Sequence, residues 1–212
     1  MTRIVALLLI CLAAPAWAHH PLAGQPMEIF AHGVLSGIGH PVLGFDHLFF
    51  ILAVGVLARV AGMPLRGPLA YVATMLLGCA LIYSGWKIPL TELMIALSLL
   101  LVGFVLACGK PIAPWTTLTL FAGYGLFHGA AFGASIAGQE GGISTSVLAG
   151  YLIGLGAIQY VMALGAGIVA DRILNHRADD LPVRLAGAMV AGVGLFLCLE
   201  AVEGPILDWL AS

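Results

Sequence analysis

Six stretches of about twenty or more residues, nearly free of charge, run through this chain: 42–61, 67–86, 89–109, 112–137, 145–170 and 183–203. A helix of about 20 apolar residues covers the ~30 Å of hydrocarbon in a bilayer. Inside lipid, every backbone N–H and C=O must find a partner in the protein, so only helices and closed barrels can cross. No ten-residue segments alternate polar and apolar as barrel strands would. The pattern predicts an all-α membrane protein with a six-helix transmembrane bundle. Turn signals separate the runs at Gly62-Met63-Pro64, Lys87-Ile88-Pro89, Gly109-Lys110-Pro111, Gly138 to Gly142 and Asn175 to Pro182. A shorter apolar stretch, Met27 to Ile38, cannot cross and reads as an interfacial or re-entrant helix, set off from the first span by Gly37-Ile38-Gly39.

Composition narrows the function. Of 212 residues, 61% are apolar and 8% charged, and the mean hydropathy is +1.09. Soluble domains carry about 25% charged residues. A soluble enzyme, a disordered segment or a nucleic-acid binder cannot present so little polar surface. No Walker motif is present for ATP hydrolysis, and no H-E-x-x-H or serine elbow for an intramembrane hydrolase. The chain does not read as an enzyme.

Residues 1–18 have the form of a secretory signal peptide: Arg3, then the apolar run Ile4 to Leu12, then Ala16-Trp17-Ala18 as a cleavage site. The mature chain, 19–212, would be a single six-span domain starting outside at His19-His20. His19 would then offer an α-amine and an imidazole together, although a flexible terminus that happens to begin with histidine reads equally simply. With the N-terminus outside, inner segments hold Arg59, Arg66, Lys110, Arg172, Arg177 and Arg184, and outer segments only Lys87. This positive-inside bias agrees with the signal peptide. It predicts a multi-pass protein of the bacterial inner membrane with both mature termini in the periplasm. Cys79, Cys108 and Cys198 lie in or beside apolar runs without a C-x-x-C pattern, and read as packing residues. Glycines recur every four residues at Gly125, Gly129 and Gly133, a spacing that lets membrane helices approach closely.

Ionisable groups inside a membrane are costly and tend to be functional. The densest group is His40-Pro41-Val42-Leu43-Gly44-Phe45-Asp46-His47. If Pro41 opens the first span, His40 and His47 lie about two turns apart on one helix face. Imidazole nitrogen and carboxylate oxygen are ligands for divalent first-row metals. His128, in Phe127-His128-Gly129, lies deep in the fourth span. The metal-site candidates are therefore His40, Asp46, His47 and His128. Glu92 and Glu200 fall in the same half of the membrane and read either as further ligands or as solvated helix ends. Gln159 and Tyr160 are weaker candidates. Gly44-Phe45-Asp46-His47 and Gly125-Leu126-Phe127-His128 share a G-x-x-H pattern three spans apart, as inverted-repeat transporters do.

These residues resemble the HupE/UreJ family of hydrogenase and urease accessory membrane proteins, which are nickel permeases. The His-x5-Asp-His pattern at His40, Asp46 and His47 carries the resemblance, with Phe127-His128-Gly129, the leader and the six-span hydropathy. The family's second motif continues as F-H-G-x-A/V-H-G-x-E. Here Phe127, His128, Gly129, Ala131 and Gly133 match, but Phe132 replaces the second histidine and Ser135 the glutamate. The resemblance implies a secondary permease with no permanently bound cofactor. Its cargo would be a divalent cation, nickel first, with cobalt, copper and zinc behind it, and its partners that ion and the lipid bilayer. The residues alone leave a second class open, a haem-binding electron-transfer protein with two facing histidines such as His47 and His128 as axial ligands.

Overall fold

The computed structural model describes residues 27–138, 143–173 and 177–211. The leader at 1–18, His19, Glu140 and His176 lie outside them. Among the described residues all regular structure is helical, in seven helices: α1 (Phe30–Leu43), α2 (Phe45–Val60), α3 (Arg66–Tyr83), α4 (Thr91–Cys108), α5 (Pro114–Ala137), α6 (Thr145–Ile173) and α7 (Leu181–Ala211). Helices α3 to α7 are each long and apolar enough to cross a membrane, and α1 with α2 makes a sixth candidate span bent by 83°.

The joints follow local chemistry. Pro114 starts α5, where a missing N–H costs nothing. Gly109 ends α4 in the left-handed region at φ 65°, which a side chain would disfavour. Leu90 precedes α4 at φ 57°, an uncommon conformation for a branched residue.

One expectation is corrected. The first helix does not stop at Gly37-Ile38-Gly39, and Pro41 does not open the span. Helix α1 runs through both and breaks at Gly44, whose ψ of 103° leaves the helical region. Pro41 sits in the last turn of α1, where it donates no hydrogen bond back along the helix. His40 therefore belongs to α1, and Asp46 and His47 to the first turn of α2. The two histidines do not share a helix face; the bend brings them together.

Small residues set the packing. A Cβ on Gly125 would lie 2.7 Å from the Tyr71 carbonyl oxygen, and one on Gly133 2.7 Å from that of Cys79, with Gly129 against Met75 between them. Helices α3 and α5 thus run parallel with their backbones in contact, as the four-residue glycine spacing predicts. Helix α1 lies on α6 in the same way, with Gly33 and Gly37 facing the Val147 to Leu155 turns.

The alternating helix directions give the bundle two unlike ends. Arg59 pairs with Asp171, and Arg184 Nε donates to the Ala107 carbonyl at 3.1 Å. These contacts gather the basic residues into an arginine end. Lys87, Glu92 and Asp46 lie at the opposite, histidine end.

Candidate metal-ion site

The break at Gly44 aims the first turn of α2 into the bundle. Gly44 leaves room there: a Cβ would meet His47 Cδ2 at 3.0 Å and Asp46 Oδ1 at 3.2 Å. His47 is buried, and its Nε2 stands 3.8 Å from Asp46 Oδ2, whose side chain is 29% exposed. His40 approaches from α1, its ring centroid 6.4 Å from that of His47. A cavity of about 390 Å³ opens between them, lined by His40, Gly44, Phe45, Asp46, His47 and Leu197. Asp46 and Leu197 also border a second cavity of about 220 Å³, where Glu92 and Glu200 join Asp46.

His128 is completely buried on α5. Its Nδ1 lies 2.7 Å from His47 Nδ1, and its Nε2 lies 2.9 Å from Ser98 Oγ on α4. Phe50 stacks on the His128 ring at 4.2 Å between centroids. The histidines of the two G-x-x-H segments, 81 residues apart, are thus in direct contact, carried by helices that run in opposite directions. In this arrangement the contact leaves no space for a porphyrin between the two rings. Deeper in the bundle, Tyr71 Oη donates to Gln159 Oε1 at 2.6 Å, and Gln159 Nε2 points to Met75 Sδ at 3.6 Å. Gln159 therefore has a bonding role between α3 and α6.

Among the described residues, no three His, Cys, Asp or Glu side chains stand close enough to enclose a metal ion together. The two departures from the family motif border this region. Phe132 is buried with its ring 4.2 Å from that of His47 and 5.1 Å from that of His40. Ser135 Oγ lies 3.3 Å from His40 Nδ1. Ser98 is the residue that the sequence did not flag: a lone serine in an apolar helix has no motif, and its partner is 30 residues away.

The family model described as HupE / UreJ protein matches residues 7–197. The chain belongs to the HupE/UreJ family. Protein HupE of Rhizobium leguminosarum bv. viciae is 30% identical to this family member over 191 residues, which is 89% of this chain and 94% of that protein. No solved structure matches the chain. Within this HupE/UreJ chain, the His-x5-Asp-His residues converge on the 390 Å³ cavity across the α1–α2 bend, with the histidine of the second motif directly behind His47.

Proposed function

We propose that this protein is a secondary permease for a divalent transition-metal cation, nickel first, in the bacterial inner membrane. The ion enters from the periplasm at the histidine end. The observation that carries the reading is the gap between His47 Nε2 and Asp46 Oδ2. At 3.8 Å both donors can reach one ion at about 2.0–2.2 Å across a wide angle, and a small inward movement brings them to tetrahedral spacing. His40, across the same cavity, supplies a further imidazole once its ring turns inward, and Glu92 and Glu200 draw cations toward Asp46.

His47 and His128 form the constriction. Their Nδ1 atoms are in hydrogen-bond contact, so an ion moves past His47 toward His128 only when the two rings part. Beyond them lies the Tyr71–Gln159 pair. The membrane potential contributes about 4.6 kcal/mol per 100 mV for a doubly charged ion, twice the single-charge value.

The test is uptake by proteoliposomes offered nickel, cobalt, copper and zinc in turn. Wild-type protein should carry at least one of them. Asp46→Asn and His47→Ala should abolish uptake at unchanged membrane abundance. Uptake that survives both substitutions would remove the proposed mouth of the path.

A further inference from the structure

Three hydrogen bonds behind His47 fix where its protons sit. Ser98 Oγ lies 2.6 Å from the Ile95 carbonyl oxygen and 2.9 Å from His128 Nε2. A hydroxyl has one proton to give. Were it given to His128, two oxygens would face each other at 2.6 Å with no hydrogen between them. Ser98 therefore donates to Ile95 and accepts from His128 Nε2–H.

The next step follows from the two rings. His128 is fully buried, and an imidazolium there would be a charge held out of water against a second imidazole, so the ring is neutral. A neutral imidazole has one N–H, and that of His128 is on Nε2. Its Nδ1 is a lone pair. The 2.7 Å contact with His47 Nδ1 then requires His47 Nδ1 to carry the proton. In neutral His47 the remaining nitrogen, Nε2, is bare, and it faces the Asp46 carboxylate at 3.8 Å. Two electron-rich atoms across that gap leave a space suited to a cation.

We infer that Ser98 is a positioning residue, which sets the tautomer of His128 and through it presents the unprotonated Nε2 of His47, opposite Asp46, as a ligand for the ion. Partners that orient a metal-binding histidine commonly change affinity by 10–100-fold when removed. The consequence for transport rests on the permease reading; the tautomers do not.

The experiment separates the two. Full-length protein with ¹⁵N-labelled histidine, reconstituted in lipid nanodiscs, reports each tautomer through its nitrogen shifts, assigned with single histidine substitutions. The wild type should show His128 protonated at Nε2 and His47 at Nδ1. Ser98→Ala should mix the tautomers of both rings and raise KM for nickel uptake about tenfold, with the maximal rate within about twofold. Ser98→Thr, which keeps the hydroxyl, should restore both readouts. The opposite tautomers in the wild type would overturn the inference, as would a Ser98→Ala protein with unchanged shifts and KM. Should Ser98→Ala fail to fold, the wild-type tautomers alone decide. If the wild type transports no divalent ion, the permease reading fails while the nitrogen shifts still decide the role of Ser98.

Discussion

The Phe132 ring lies 4.2 Å from the His47 ring and 5.1 Å from the His40 ring, centroid to centroid, filling the space between the two with apolar surface. This is the position at which the family motif has its second histidine. The phenyl group supplies packing and no ligand, so His40 and His47 are the two imidazoles that border this cavity.

Phe132→His should restore that imidazole within reach of both rings. Nickel should bind about tenfold more tightly or better, equivalent to at least about 1.4 kcal/mol. Without metal the variant should be less stable by about 1–3 kcal/mol, because a buried polar ring replaces an apolar one. Saturating nickel should recover the loss by mass action. Isothermal titration with nickel, cobalt, copper and zinc, alongside thermal melts, checks both parts. Unchanged affinity for all four ions would show that position 132 does not face the ion.

The glycine seam between α3 and α5 gives a second prediction. A Cβ on Gly129 meets the Met75 backbone. Because backbone cannot swing aside as a side chain can, Gly129→Ala should push the helices apart and cost about 1–3 kcal/mol. The His128 ring would move with it. Gly123→Ala, on the same helix but with nothing within 4 Å, should be neutral or stabilising by up to about 1 kcal/mol. Melting temperatures of the two variants in one detergent make the comparison, and equal values would mean that the seam does not hold the bundle.

Much of this architecture was legible in the sequence. Five of the spans and their breaks follow from apolar run length and from Gly/Pro punctuation, because lipid tolerates no unpaired backbone. The seam through Gly125, Gly129 and Gly133 follows from helical period alone. The α1–α2 joint was not legible. Pro41 and Gly37-Ile38-Gly39 are stronger breakers on paper than Gly44, yet packing of α1 against α6 at Gly33 and Gly37 holds the helix through them. Asp46 and His47 could be chosen as rare polar residues in apolar surroundings. His47 and His128 could be raised as a facing pair, but that they touch directly, and that His128 touches Ser98, could not be read, since both contacts depend on which helices are neighbours.

The Arg59–Asp171 pair ties the far end of α2 to α6, and it carries the last prediction. Its side chains are 29% and 23% exposed, so it lies between a solvated surface pair, worth up to about 1 kcal/mol, and a buried pair, whose breaking costs about 3–5 kcal/mol. Asp171→Asn and Arg59→Gln should each destabilise by about 1–2 kcal/mol, within that interval. The double variant should lose less than the sum of the singles, since each single strands one charge at the bundle end. Arg59 lies twelve residues beyond His47 on one continuous helix, about 18 Å along its axis. The pair therefore lies far from the His47–His128 contact, which joins α2 to a different helix, α5. In the double variant, nickel affinity should fall less than stability does, because Ser98 and Phe50 still hold the His128 ring. A double-mutant cycle on melting temperature, paired with nickel titration of the same four proteins, measures both. Strictly additive losses would show that the two charges do not interact across α2 and α6.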